Sequence, residues 1–202
     1  MKTPPRRTPR WRAGLGLILL VSAAACSTRD PSPDHPPLPS ADDLAVSDLQ
    51  GRFEKVRDLA AAGDAPGVTA ALVDFSATET DVKLLFGDEV GSRLYPSYRD
   101  EVLKAFVAEA GAVLVERVRA GQTEVFVHQV GPAFPDHTTA TDEHLIAALK
   151  TPARLYSVRL RTPGQTLGFR LNGFTKLGDR WLTLLKSDAF LGAEPPSAAG
   201  GL

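Results

Sequence analysis

Apolar residues along the first half of the chain recur at intervals of three and four. Leu49, Phe53, Val56 and Ala60 fall on one face of a helix, predicting an element from about Asp43 to Ala62 that Gly63 ends. A second, shorter helix is predicted over Pro66–Val73, since proline is tolerated in a first turn. Thr78-Glu-Thr-Asp81 has the form of a helix start, with acids in the first turn, opening a helix through Leu84, Leu85 and Phe86 that stops at Gly87. From about Ser97, Val102, Phe106 and Ala110 share a further helical face that closes at Gly111.

In the second half the period changes to two. Val113–Arg119 and Thr123–Val130 flank Ala120-Gly121-Gln122 and read as a hairpin, with Gly131-Pro132 breaking the ladder. A short helix capped at Thr141 follows, with Asp142 and Glu143 in its first turn and Leu145, Ile146 and Leu149 turned inward. Arg154–Thr162 then alternates Tyr156, Val158 and Leu160 with Ser157, Arg159 and Arg161, as a half-buried antiparallel strand does. Pro163-Gly164 turns into a strand carrying Phe169 and Leu171 opposite Arg170 and Asn172. Gly178-Asp179 turns into a last strand over Arg180–Lys186. Helices first and about five antiparallel strands second predict an α+β domain, its N-terminal helices packed on a curved C-terminal sheet.

The ends follow neither period. Residues 1–12 carry Lys2, Arg6, Arg7, Arg10 and Arg12 and no acid, and Ala13–Ala25 is uncharged and mostly apolar. A basic stretch, a short apolar run and a small-residue end are the parts of a secretory signal peptide. Thirteen helical residues reach about 20 Å, short of the roughly 30 Å hydrocarbon core, so the run is a poor permanent span. Residues 27–41 hold five prolines and one large apolar residue, and read with Cys26 and Asp42 as an extended tether before a domain over 43–192. Residues 193–202 read as a disordered tail.

The one cysteine of the chain stands directly after the apolar run, in Ala23-Ala24-Ala25-Cys26. This sequence resembles the lipobox of bacterial lipoprotein precursors. The resemblance implies cleavage between Ala25 and Cys26, a diacylglycerol on the Cys26 thiol, and acylation of the new amino terminus. The membrane is then a partner through acyl chains, and two or more chains suffice for stable anchoring. Ser27, where aspartate holds some lipoproteins at the inner membrane, tilts the expected location toward the outer membrane, with the domain in the periplasm. The element order over about residues 43–190 resembles the NTF2-like (cystatin-type) superfamily, in which helices and a curved sheet form a cone. That resemblance implies either a binding module or a small-molecule enzyme with its active site inside the cone.

Removal of the leader changes the charge. The whole chain has a net charge of −1; without the five Lys/Arg of residues 1–25, 18 basic side chains stand against 24 acidic ones, net −6. The near-zero net charge of the whole chain argues against nucleic acid as a partner; residues 27–112 are net −8 and residues 113–192 net +3. Arg159, Arg161 and Arg170 fall on the polar face of adjacent strands and form a candidate basic binding face for anionic headgroups or an acidic envelope protein. Tyr156, Phe169 and Trp181 are candidates to line a pocket for a small apolar ligand, with core packing as the plainer reading. His137 and His144 sit in a run with Asp136, Asp142 and Glu143, but their spacing does not make them converge on an ion, and helix capping explains the acids better. His128 is read on the apolar face of its strand. No phosphate loop, nucleophile elbow or His-Glu-x-x-His motif occurs, so no catalytic residue, metal or cofactor is assigned. The reading is a lipid-anchored, non-enzymatic binding or interaction module.

Overall fold

The computed structural model describes residues 40–191. The leader, the Ala25–Cys26 cleavage and lipidation site, most of the proline-rich tether and the tail from residue 193 lie outside the described residues.

Helix α1 (Ala41–Ala61) begins two residues before its predicted start, because the Ser40 hydroxyl accepts from the Asp43 amide while Asp43 reaches back to the Ser40 amide. This reciprocal box satisfies two amides that would otherwise lack partners. The same device opens α3 (Glu79–Phe86) at Thr78. It also opens α6 (Ala140–Ala148), where the cap is Thr139 and not Thr141: Asp142 is the acid three residues on that completes the box. Helices α2 (Ala65–Val73) and α4 (Asp88–Ser97) lie between; α4 leads through a π-helical stretch, Tyr98–Leu103, into α5 (Lys104–Arg119).

Helix α5 overturns one expectation. Val113–Arg119 is helical, and Gly111 lies inside the helix. Gly111, Leu114, Val115 and Val118 are its buried residues, a spacing of 3, 1 and 3 that continues the face begun by Val102 and Phe106. Tertiary burial along that face outweighs the strand preference of three valines in seven residues. Gly111 is there for contact, not for termination: a Cβ on it would stand 2.3 Å from the Ala65 carbonyl oxygen and 2.4 Å from the Thr69 hydroxyl.

The sheet therefore has four strands, not five, in the order β1 (Glu124–Val130), β2 (Leu155–Arg161), β3 (Gly168–Leu177) and β4 (Arg180–Thr183), all antiparallel. β4 stops at Thr183 rather than Lys186, because Leu184 donates to the Gly173 carbonyl and the chain then turns away toward α7 (Asp188–Leu191). A bulge at Gly173 (φ 74°) puts three steps of β3 against two of β2, between Val158–Leu171 and Tyr156–Phe174.

Each face of the sheet carries a packed layer, complete on one and partial on the other. On one, Leu49, Phe53, Val56 and Ala60 of α1, with α2 and α5, pack on Val125, Val127, Tyr156, Val158, Leu171, Phe174 and Trp181. Phe53 anchors that layer, 5.3 Å from Phe75 and 5.1 Å from Phe174 between ring centroids. The alternate residues Val130, Leu155, Leu182 and Leu184 pack with Val82, Leu85, Phe86, Leu94, Tyr98 and Leu145 of α3, α4, the π-helical stretch and α6. The Tyr98 hydroxyl ties this layer to the sheet by donating to the Thr183 carbonyl and accepting from the Ala77 amide. No helix among the described residues is long and apolar enough to cross a membrane.

Candidate functional site

Two neighbouring features of β3 gather most of the residues singled out from the sequence. The first is the part of the second sheet face that α3, α4 and α6 leave open. Arg159 and Arg170 are register partners there, as are Glu124 and Arg161, and His128 stands opposite Ser157. His128 thus shares a face with Phe126 and Val130, but apart from these two that face is polar here rather than apolar as expected. The buried face of β1 at this point is the one carrying Val125 and Val127, and His128 lies on the other.

The loop after β1 folds back over this face. The Thr138 hydroxyl pins it by accepting from the Gly131 amide at 2.8 Å, and the His137 ring stacks on His128 with centroids 3.9 Å apart. Phe126 continues the stack, and the Arg161 guanidinium covers Phe126 at 3.2 Å. Burial, then the neighbouring His137 ring and the charges of Arg159, Arg161 and Arg170, push the His128 pKa down to about 4, so the ring is neutral at neutral pH. His144 is exposed on α6 and takes no part. Among the described residues no group of three or more His, Cys, Asp or Glu converges on one point.

The three arginines are brought together, but two are already neutralised. Arg161 pairs with Glu124 at 3.0 Å. Arg170, with only 16% of its side chain exposed, pairs at 2.7 Å with Asp142, which is fully buried, and donates to the His137 carbonyl. Arg159 binds the Thr166 carbonyl and has no carboxylate partner among the described residues. The surplus charge of this face is therefore small, and its attraction for a polyanion is weaker than three aligned arginines suggest.

The second feature lies at the edge of β3. β4 pairs only with Phe174–Leu177, so Gly168–Asn172 have no strand neighbour on that side among the described residues. Instead a cleft of about 510 Å³ opens between this edge, the facing side of the π-helical stretch and α5, and the segment after β4. Val102, Phe106, Ala110, Val113 and Leu114 form the helical wall; Phe169, Leu171, Leu185 and Phe190 form the other. The volume is within the usual range for small-molecule sites, and the lining is mainly apolar, as such sites require.

Two backbone irregularities border the cleft. The π-helical stretch supplies Glu101 and Val102, and such wide turns concentrate at functional sites. Lys186 is the one non-glycine residue with positive φ (55°) among the described residues, a conformation that costs on the order of 1 kcal/mol. Neither irregularity was visible in residue pattern, since each arises from how the chain joins two packed elements.

Of the three candidate lining residues, Phe169 lines this cleft. Tyr156 and Trp181 pack in the core, edge to face at 5.2 Å, and border two other clefts, of about 870 Å³ and about 560 Å³ respectively. Trp181 also donates from Nε1 to Asp48 at 2.9 Å, which, with Lys176 and Arg52, holds the Asp48 pKa down to about 2. No protein-family model, curated protein or solved structure matches the chain.

Proposed function

We propose that the protein is a lipid-anchored component of a bacterial cell envelope whose α+β domain binds a small apolar ligand, without catalysing a reaction, in the cleft between α5 and the edge of β3. The supporting observation is the cleft itself: about 510 Å³, walled mainly by aromatic and aliphatic side chains, whereas two other clefts of the domain have more polar linings. Anchoring rests on the leader and the Ala23-Ala24-Ala25-Cys26 sequence. Acyl chains on Cys26 would hold the domain at the membrane, and the tether of residues 27–39 would span at most about 40 Å at 3.1 Å per residue.

The two halves are tested separately. Cells expressing the chain and fed a labelled fatty acid should label the wild type and leave Cys26→Ala unlabelled; equal labelling of both would refute the anchor. For the cleft, an environment-sensitive apolar dye should bind the wild type. Ala110→Trp, which fills the cleft from the α5 side, should weaken that binding at least about tenfold without loss of secondary structure. Unaltered dye binding would remove the cleft from consideration.

A further inference from the structure

We infer that the occupant of this cleft is a short, extended apolar peptide segment with basic flanks, which adds to the sheet as a further strand on the open edge of β3, beside α5. This rests on the reading of the cleft as an apolar ligand site and names the chemical class of the ligand.

The main chain of β3 points to this class. In an antiparallel ladder successive residues turn their amides and carbonyls to alternate sides. β2 takes those on one side of Gly168–Asn172, and β4 takes the other side only from Phe174 on. Among the described residues, no main-chain group outside β2 bonds to the amides or carbonyls of residues 168–172; the Phe169 amide reaches the Gln122 side chain instead. Phe169, Arg170 and Leu171 of this stretch border the cleft. Strand amides and carbonyls beside an apolar cleft are costly without partners, and a hydrocarbon ligand offers none. An extended peptide offers both donor and acceptor at the matching spacing.

The edge also lacks the features that ordinarily keep strands from pairing, such as lysine, proline or a bulge. Gly168-Phe-Arg-Leu-Asn172 has neither lysine nor proline, and the bulge comes after it at Gly173. Its one charge, on Arg170, is held by Asp142 on the other face of the sheet. The two walls of the cleft belong to different layers: Phe106 and Ala110 pack with the first face, Leu185 and Phe190 with the second. A strand between them finds apolar surface for both alternating sets of its side chains, as a strand buried on both faces requires.

Charge selects the flanks. Glu101 and Glu109 on the helical wall and Lys186 on the other are exposed, and none has an ion-pair partner among the described residues. Arg117, two turns beyond Glu109, is already placed over the Phe169 ring at 5.6 Å. Two acids against one lysine on the rim favour a basic flank over an acidic one.

The test is titration calorimetry of the purified full chain with the capped peptide Lys-Val-Ala-Val-Ala-Val-Lys and with two versions N-methylated on alternate residues, one for each edge of the extended peptide. One version should bind at least about tenfold more weakly than the parent and the other within about threefold of it, because only one peptide edge faces β3. Equal loss in both versions, or loss in neither, overturns strand addition. The analogue with Glu in place of both Lys should bind about twofold to fivefold more weakly, as exposed ion pairs allow; equal or tighter binding overturns the basic flanks. Ala110→Trp should weaken the peptide and the apolar dye together. Dye binding without peptide binding overturns the inference and leaves the apolar cleft standing, whereas failure of both to bind overturns the cleft reading itself.

Discussion

His128 shows how much one side chain's behaviour depends on neighbours far away in sequence. Its ring is covered by His137, nine residues on, and surrounded by arginines from β2 and β3. Its pKa in the fold, about 4, lies below the unfolded value near 6.5, so the unfolded chain takes up protons first as pH falls. Stability from this site is complete above about pH 6.5 and declines toward pH 4. A ring this open to solvent should contribute on the order of 1–2 kcal/mol after screening. Urea unfolding at pH 7 and pH 4.5 should show His128→Gln losing less stability than wild type over that interval. A parallel loss in both proteins would mean the stack does not control the ring. Arg170 and Asp142 make the opposite kind of pair. Asp142 is fully buried and also caps α6, so Arg170→Met leaves a buried carboxylate uncompensated and should cost about 3 kcal/mol. Arg170→Met combined with Asp142→Asn should recover part of that loss, a non-additivity that a double-mutant cycle in urea would measure.

Between elements, contact distance rather than propensity decides. Glycine to alanine inside a helix ordinarily gains about 1 kcal/mol. At Gly111 the new methyl would meet the α2 backbone at Ala65 and the Thr69 hydroxyl, so Gly111→Ala should instead destabilise by about 1–3 kcal/mol, read as a lower melting temperature with unchanged helix content. A gain in stability would show that α2 and α5 can separate at no cost. The caps offer a cleaner case, since they depend on only four consecutive residues. Thr78→Ala and Thr139→Ala should each cost about 1 kcal/mol. The box at Thr78 is legible in the sequence, whereas the residue pattern starts α1 at Asp43 and misses the cap at Ser40. At Thr139 two threonines two residues apart competed, and only the partnership of Thr139 with Asp142 singles out the first.

For the molecule as a whole, the sheet carries two different surfaces because helices cover it unequally. The face under α1, α2 and α5 is a closed core; the opposite face is closed only where α3, α4 and α6 reach it. The remainder holds the stacked rings and paired arginines, and the cleft opens where β4 ends short of β3. Both candidate sites thus lie where the covering layers stop. A ligand in the cleft should stabilise the fold by mass action, raising the melting temperature as its concentration rises above its dissociation constant. The apolar dye should therefore raise the midpoint of the wild type and not that of Ala110→Trp.

The sequence by itself determined the α+β order, the boundaries of α1, α2 and α3 to within two residues, and the alternation of β2 and β3; the expected leader before Cys26 lies outside the described residues. These depend on local periodicity, on caps within one turn, or on a short run of residue types. The tertiary structure decided that Val113–Arg119 is helical, because the face that buries Leu114, Val115 and Val118 exists only once α1 and the sheet are in place. It also decided that His128 meets His137, that two of the three arginines are spent on Glu124 and Asp142, and that Phe169, Tyr156 and Trp181 border three different clefts rather than one pocket. Each of these depends on residues brought together from distant parts of the chain, and their register and burial come from packing that no local pattern encodes.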